Sequence, residues 1–318
     1  MLRRRAFRKI IITTFSLITI FALCIIPNKF FSKDNYLNPN IETLYVTNLG
    51  SNDIYLLATN GYLTKTSIVL NADKLEEKIK NIIEYLTINK SSKVPNGLSG
   101  IIPANTELES TSIKAGIVTL NFSNEILKVP KENERKMVEA ITYSLINLDG
   151  IEGVIISVDN KNLVELPQTK EKLPNVLNRN FGINKKYELN DIKNTNVVTM
   201  YYINEIDNKT YYVPVTKYLN DDREKIKIII DNLSSNYIYE PSLMSLLNQN
   251  TQLINYQIEN NNMHINFSND ILSNDNILEE VIYQVSESVF ENYDVEKVIL
   301  EVNKNKYSEV NKCCGIKK

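Results

Sequence analysis

The residue types that most often carry catalysis are scarce and scattered in this sequence. His264, the only histidine, alternates with Met263 and Ile265 in a strand pattern that turns its ring away from the apolar face. The adjacent acids Asp221-Asp222 suit the positive N-terminal end of a predicted helix, and Glu76-Glu77 suit a solvated helix face. No serine, cysteine or lysine nucleophile with a plausible base can be recognised. We therefore expect a protein that is not an enzyme and that uses no metal and no cofactor.

Tyrosine is the one abundant residue type whose side chain favours binding. The chain has 18 tyrosines, and the pairs Tyr201-Tyr202 and Tyr211-Tyr212 lie in the same stretch as Tyr237 and Tyr239. Strand alternation would turn one ring of each pair outward. This predicts an interaction surface formed by Tyr202, Tyr212, Tyr237 and Tyr239. Ordinary strand propensity explains the same tyrosines equally well.

The charge distribution separates the first 33 residues from the rest. The chain has 318 residues, of which 43% are apolar and 23% charged, and a formal net charge of −2. Residues 1–33 hold seven of the 36 lysines and arginines and no acid, which leaves 29 basic and 38 acidic groups in the other 285 residues. That excess of nine acids disfavours nucleic acid as a partner, because phosphate binding needs a basic face.

The N-terminus has the pattern of a membrane anchor. A basic segment over residues 1–9 precedes 17 uncharged residues, Ile10 to Ile26, and Pro27 ends the run. As a helix the run spans roughly 25 Å, close to the ~30 Å hydrocarbon core of a bilayer. We predict a single-pass anchor over 10–27 with the remainder outside the cytoplasm. A cleaved signal peptide would look the same, and lipidation of Cys24 is a second alternative, although Leu23 stands where a small residue is preferred.

An internal repeat divides the acidic part of the chain into two copies. The stretch NFSNEIL at residues 121–127 recurs as NFSNDIL at 266–272, an offset of 145. Alternating strands lie in the same order around both stretches. The matched strands are 117–122 with 263–267, and 153–158 with 297–302.

Helices and opening strands are matched in the same way. Apolar residues at helical spacing predict a first helix over 75–86, with Asn71 or Asp73 as its cap, and a later helix over 137–148. Each copy then reads β-β-α-β-β-α-β, an α+β fold with helices on one face of a mixed sheet. The matched helices of the second copy are 226–233 and 278–289, and the opening strands are 43–47 with 53–59 or 67–70, and 197–203 with 211–216.

The predicted organisation follows from these patterns. Two domains of similar size are joined by a connector that lacks sustained periodicity but contains two prolines. Cys313 and Cys314 lie in a lysine-rich end that we expect to be an unstructured tail. The predicted segments are a linker over 28–40, a first domain over 41–163, a connector over 164–196, a second domain over 197–305 and a tail over 306–318.

The first copy resembles the GerMN domain family. The similarity rests on stretches spread along the domain, and the second copy is a weaker match that lacks the Ile-Pro turn and has Glu259–Asn262 in place of the glycine hairpin. The resemblance covers residues 41–305, and the connector stretch RNFGIN at 179–184 is also similar. The stretches of the first copy are GIIPANT at 100–106, IKAGIVTLNFS at 113–123, AITYSL at 140–145, GIEGV at 150–154 and VDN at 158–160.

The resemblance implies a function as well as a fold. It implies a membrane-tethered, two-domain extracytoplasmic protein of a spore-forming bacterium, without enzymatic activity, that acts as a scaffold or interaction protein in sporulation or germination. Its implied partners are envelope proteins of that machinery, and self-association into a homo-oligomer is open because the fold is related to ring-building modules. The alternative is a module that binds cell-wall glycan (peptidoglycan) through the tyrosine surface.

Overall fold

The structure, a computed structural model, describes residues 51–191, 193, 195–235, 242–312 and 315–317. The predicted anchor, Cys24, the strand over 43–47, Tyr237 and Tyr239, and Cys313 with Cys314 lie outside the described residues, so the corresponding predictions stay predictions. Within the described ranges, no helix is both long and apolar enough to cross a membrane.

The first repeat contains two helices and two groups of strands. Strand β5 shows the predicted alternation, whereas β1 and β6 carry runs of consecutive apolar residues. The helices carry the predicted apolar stripes. Lys74, not Asn71 or Asp73, is the N-cap residue of the first helix, and no side chain hydrogen-bonds there. The elements are β1 (Ser51–Ala58), β2 (Leu63–Val69), α1 (Leu75–Leu86), β3 (Leu98–Ser99), β4 (Leu108–Lys114), β5 (Ile117–Phe122), α2 (Glu134–Leu145), β6 (Gly153–Val158) and β7 (Lys161–Asn162).

The second repeat shares the order of two strands, a helix, two strands, a helix and two strands, and its opening hairpin is longer. Among the described residues, β3 has no counterpart strand in the second repeat, and β15 has none in the first. The connector contributes one short strand, β8 (Lys186–Glu188). The predicted tail is not unstructured, because Val310 is buried and two strands extend the sheet. The elements are β9 (Thr195–Ile206), β10 (Lys209–Asn220), α3 (Lys225–Leu233), β11 (Leu253–Glu259), β12 (Asn262–Phe267), α4 (Glu279–Asn292), β13 (Lys297–Val302), β14 (Asn305–Asn311) and β15 (Gly315–Lys317).

The helices of each repeat lie between two sheets, which corrects the predicted single mixed sheet. In the first repeat, β4-β5-β6-β7 form one sheet, whereas β1 and β2 belong to another. Helix α2 packs against β1 on one side and β6 on the other. Met137 through Leu145 are consequently all buried, including polar side chains such as Thr142 and Ser144. The second repeat has the equivalent sheet β11-β12-β13-β14-β15.

The opening hairpins of the two repeats join into one six-stranded sheet, in the order β3-β1-β2-β10-β8 with β9 on β10. The junction is antiparallel and places Tyr212 opposite Lys65. Strand β8 of the connector pairs in parallel with the far end of β10. The two repeats are therefore continuous through hydrogen-bonded backbone, which the repeat pattern alone did not predict.

Each repeat nevertheless has its own apolar core. The first core extends from Ile54 to Ile183 and includes connector residues such as Leu166 and Phe181. The second extends from Val198 to Val310, and Tyr62 of the first repeat packs into it. The connector is thus part of the first domain's packing and not a free link.

Asparagine replaces glycine in the tight turns. In the first repeat the β4–β5 turn uses Ala115-Gly116, both with positive φ. The equivalent turn of the second repeat uses Asn260-Asn261, with φ of 50° and 62°. Asparagine tolerates this left-handed conformation better than other residues with a side chain, so the missing hairpin glycine does not change the turn.

Candidate functional site

A buried group of charges lies where the two repeats meet. The Lys65 ammonium on β2 is 3.0 Å from an Asp53 carboxylate oxygen on β1 and 2.7 Å from a Glu287 oxygen on α4. The lysine side chain is only 10% exposed. The ion pair with Glu287 joins residues 222 positions apart, one in each repeat. We call Lys65, Asp53, Glu287, Arg179 and Glu291 the inter-repeat cluster.

Mutual attraction favours the charged forms of Lys65 and Asp53 despite their burial. Burial opposes the charge of Lys65, but Asp53 and Glu287 outweigh it and raise the lysine pKa well above its usual range. Burial would likewise raise the pKa of Asp53, but the Lys65 charge and hydrogen bonds from Ser67 and Lys65 hold it below its usual value. For Glu287 burial dominates, and the pKa is raised although Lys65 opposes this.

The second part of the cluster ties the connector to both repeats. The Arg179 guanidinium donates to a Glu291 carboxylate oxygen on α4 at 2.5 Å and to the Asn147 amide oxygen at 2.9 Å. Tyr143 on α2 donates its hydroxyl to the backbone carbonyl of Arg179 at 2.9 Å. Burial disfavours the arginine charge, but Glu291 outweighs this and raises the Arg179 pKa. Because arginine has several donors in a fixed plane, one side chain can hold partners from two domains.

Equivalent residues of the two repeats, on β1 and β9, contact each other. The hydroxyls of Tyr55 and Tyr201, which are 146 positions apart, lie 3.1 Å from each other. The backbone N–H of Tyr55 donates to the Ser144 hydroxyl at 2.9 Å, and that of Tyr201 donates to Ser288 at 2.9 Å. This repetition of contacts indicates an approximate two-fold relation between the repeats, with the tyrosine pair near its axis.

Asn184 of the connector fastens the two opening hairpins side by side. Its amide oxygen accepts from the N–H of Leu63 on β2, and its amide nitrogen donates to the carbonyls of Leu63 and of Pro214 on β10. Its own backbone N–H donates to the carboxylate of Glu139 at 2.8 Å. All these groups are buried, so one asparagine satisfies polar backbone atoms from both repeats.

The structure describes two of the four tyrosines of the predicted surface, Tyr202 and Tyr212. Tyr202 is 3% exposed and packs in the second core, so its assignment to an exposed surface is corrected. Tyr212 is partly buried, and its ring stacks on Tyr283 with centroids 3.9 Å apart. Tyr201 is also buried, because both faces of β9 are covered. Alternation along the strand was predicted to leave one ring of the pair outside, which holds only when one face of a strand is solvated.

Ser123, Ser268 and His264 each make contacts that hold the fold together. The hydroxyls of Ser123 and Ser268 accept from the backbone N–H groups of Glu107 and Gln252, both at 3.1 Å. They therefore hold the chain just before β4 and β11, at equivalent positions of the repeats, and make no side-chain cap. His264 lies 2.9 Å from a Glu301 oxygen on the neighbouring strand β13.

Two sheet edges lie at equivalent positions of the repeats. Strand β4 is the first strand of one outer sheet and β11 is the first of the other. Among the described residues, neither has a second strand paired on its outer side. On β11 the apolar side chains of Ile254 and Ile258 are 52% and 48% exposed. An edge of this kind offers backbone donors and acceptors to an added strand.

The inter-repeat cluster was not predicted because its members are ordinary charged residues in sequence. Its partners from different repeats are also far apart in the chain, 222 positions for Lys65 and Glu287 and 112 for Arg179 and Glu291. Across the described ranges, no group of three histidine, cysteine, aspartate or glutamate side chains is arranged to hold a metal ion. The cluster's charges contact one another, which is the arrangement of a structural joint.

Fold and site define a protein of two tandem α+β modules locked through a common sheet. A family model described as Germane, "Sporulation and spore germination", matches residues 53–164 and 199–308. The chain belongs to this family, and the resemblance predicted from the sequence is confirmed.

Known relatives have the same organisation. The spore germination protein GerM of Bacillus subtilis (strain 168) is 28% identical over 261 residues, covering 79% of this chain and 71% of that protein. The solved tandem GerMN domains of the sporulation protein GerM from Bacillus subtilis superpose with a TM-score of 0.76 at 26% identity, covering 84% of this chain and 98% of that one. The tandem arrangement of GerMN-like domains is therefore shared with a sporulation protein.

Proposed function

We propose that this protein is a non-enzymatic scaffold of the sporulation or germination envelope machinery. Residues 10–27 anchor it in the membrane, and both repeats lie outside the cytoplasm, where they bind envelope proteins. The observation that carries the proposal is the rigid joint between two similar modules, made by the shared sheet and the inter-repeat cluster. A scaffold needs its binding surfaces at a fixed spacing, and such a joint provides it.

The buried charges support a fixed geometry over a hinge. Separating the repeats would expose the β2–β10 junction and leave Lys65 without Glu287 and Arg179 without Glu291. It would also break the hydrogen bonds by which Asn184 holds Leu63 and Pro214 together, and it would withdraw Tyr62 from the second core. These losses disfavour an open form, so partners bound to the two repeats keep a constant separation.

The edge strand β11 supports a docking role. Ile254 and Ile258 leave apolar surface beside a strand that can accept another strand. The second repeat therefore presents a protein partner with both backbone hydrogen bonds and apolar contact. The equivalent edge β4 carries the polar and charged side chains of residues 109–112, so the two edges differ in chemistry.

The test is immunoprecipitation of the tagged full chain from sporulating cells, with captured proteins identified by mass spectrometry. We expect envelope proteins to be recovered, and we expect the double variant Ile254→Lys/Ile258→Lys to reduce their recovery at least tenfold, because it places charges in the contact. Val69→Lys/Val164→Lys is the matched control, since it adds the same two charges at exposed apolar residues that are not part of the β11 sheet. Recovery of no envelope protein, or equal loss in both variants, would overturn the proposal.

The membrane anchor has its own test. The apolar run and the preceding basic residues support it. Mass spectrometry of the N-terminus distinguishes an intact anchor from a cleaved or lipidated one at Cys24. Protease added outside spheroplasts should digest both repeats; complete protection in intact spheroplasts would contradict an extracytoplasmic location.

A further inference from the structure

A cavity of about 380 Å³ lies beside helix α2, and none of the five residues of the inter-repeat cluster lines it. Three parts of the chain enclose it: the β1–β2 turn, the start of α2 and the connector. Its volume lies within the ~300–1,000 Å³ of small-molecule sites. Its lining is strongly charged, with five basic and three acidic side chains: Lys131, Arg135, Lys136, Lys185, Lys186, Glu132, Glu139 and Glu171.

Glu139 is the buried acid of this cavity. Its side chain is 1% exposed, and one carboxylate oxygen accepts from the Asn184 N–H. The other oxygen, Oε1, is buried and has no hydrogen-bond partner. Burial raises the pKa of this carboxyl to about 7, against the opposing effects of the Asn184 N–H and of Lys185, Arg135 and Lys136. A donor supplied by a ligand would satisfy Oε1.

The basic side chains surround this acid from three elements. Lys136 reaches across to the turn, where its ammonium lies 3.6 Å from the position that a Cβ on Gly61 would take. Lys185 of the connector lies over the Phe181 ring at 3.3 Å, and burial lowers its pKa although Glu139 and Glu171 oppose this. Arg135 pairs with Glu171 at 2.6 Å. Because bases outnumber acids, the cavity favours a ligand with an acidic group.

The ligand group that donates a hydrogen bond to Glu139 is better neutral than charged. Five cations repel an ammonium group but attract a carboxylate or phosphate, so a hydroxyl is the donor that suits Oε1. An aromatic ring adjoins the charged lining: Tyr187 is exposed, stacks on Tyr218 at 4.7 Å and lies 6.0 Å from the Arg135 guanidinium. The ligand that fits best therefore carries a hydroxyl for Oε1, an acidic group for the basic side chains and a ring face for Tyr187. A sugar ring with an acidic substituent has all three.

We propose that this cavity binds an acidic sugar, that is, a sugar ring bearing a carboxylate or phosphate and at least one free hydroxyl. Lys136 and Lys185 hold the acidic group, and Glu139 accepts from the hydroxyl. This site is separate from the predicted surface of Tyr202 and Tyr212, and it adds a ligand to the scaffold role without depending on it.

Calorimetric titration of the full chain, in a detergent without a sugar headgroup, tests the proposal. The probes are D-glucuronate and D-glucose 6-phosphate, with D-glucose and inorganic phosphate as comparisons. We expect saturable binding of at least one acidic sugar, at least tenfold weaker binding of phosphate, and none of glucose. The tighter of the two sugars identifies the acidic group as carboxylate or phosphate.

Variants separate this cavity from general charge attraction. Lys136→Gln/Lys185→Gln should weaken the acidic sugar about tenfold or more, because charged hydrogen bonds are lost. Lys80→Gln/Lys114→Gln removes the same charge at exposed positions and should leave binding unchanged. Lys131→Gln removes one charge at an exposed residue of the lining. It repeats the binding test without changing the half-buried Lys185. Absence of acidic-sugar binding, equal binding of phosphate (an adventitious ion only), or equal weakening in both double variants would overturn the proposal.

Discussion

Replacing Lys65 with methionine tests the inter-repeat cluster most directly. Methionine keeps nearly the length and volume of lysine but removes the charge. The substitution leaves Asp53 and Glu287 facing each other without the ammonium that lies 3.0 Å and 2.7 Å from them. Because the lysine is 10% exposed, water cannot readily take its place.

The expected cost follows from the burial of the partners. Removing one member of a buried ion pair costs about 3–5 kcal/mol, because an uncompensated charge stays behind. Asp53 is partly exposed and recovers some hydration, so we take the lower end, about 3 kcal/mol. With ~2.1 cal/mol/K of unfolding entropy per residue, ~3 kcal/mol corresponds to a fall in Tm of about 4–6 °C for this chain. Protonation of Glu287, whose pKa is already raised, limits the loss at acidic pH.

The assay is urea unfolding followed by circular dichroism, at neutral pH. Lys80→Met, on the exposed face of α1, is the matched control and should change the free energy of unfolding by less than about 0.5 kcal/mol. Adding Glu287→Gln to Lys65→Met removes one of the stranded charges and should restore most of the lost stability. A cost below about 1 kcal/mol for Lys65→Met, or additive costs in the double variant, would refute the reasoning.

Three further predictions concern single positions. The pKa of Glu139 is raised to about 7 from an ordinary 4.5, so folding becomes less favourable as pH rises between these values, by up to ~3 kcal/mol. Glu139→Gln should therefore make the urea midpoint less dependent on pH between pH 5 and 8. The same pH dependence of the midpoint in both proteins would contradict this. Gly100→Ala should cost ~1–3 kcal/mol in thermal unfolding, since its Cβ would lie 2.6 Å from the Leu86 carbonyl oxygen, and an unchanged Tm would disprove the close approach. Ser144→Ala and Ser288→Ala should each cost ~1–2 kcal/mol in urea unfolding, because each leaves a buried tyrosine N–H unpaired; a loss in only one would argue against the equivalent roles.

The sequence was informative wherever one physical pattern determined one element. Strand β5 alternates Val118, Leu120 and Phe122 toward the core, and the offset of 145 residues carried the same assignment to β12. These patterns are local, so they could be recognised without knowing the partner element. The apolar residues at helical spacing likewise predicted the helices from local sequence alone.

Local sequence patterns could not predict which side chains contact each other across long separations in the chain. Nothing in the neighbourhood of Lys65 distinguishes it from an exposed strand lysine, because its partner Glu287 is 222 residues away. The same limit explains Tyr202, since strand alternation shows which side chains share a face but not whether a second layer covers that face. The cavity beside Glu139 also depends on the connector, whose irregular sequence gave no periodicity to interpret.

The approximate two-fold relation has a consequence for how this architecture responds to dilution. Two identical modules meeting edge to edge, each with its tyrosine at the axis, would form an isologous dimer that dissociates at low concentration. In this chain the two halves are covalently continuous, so encounter is intramolecular and its extent does not depend on the number of molecules present. Because the two repeats of one chain need not be identical, Lys65 of the first can pair with Glu287 of the second without a symmetric copy of that pair.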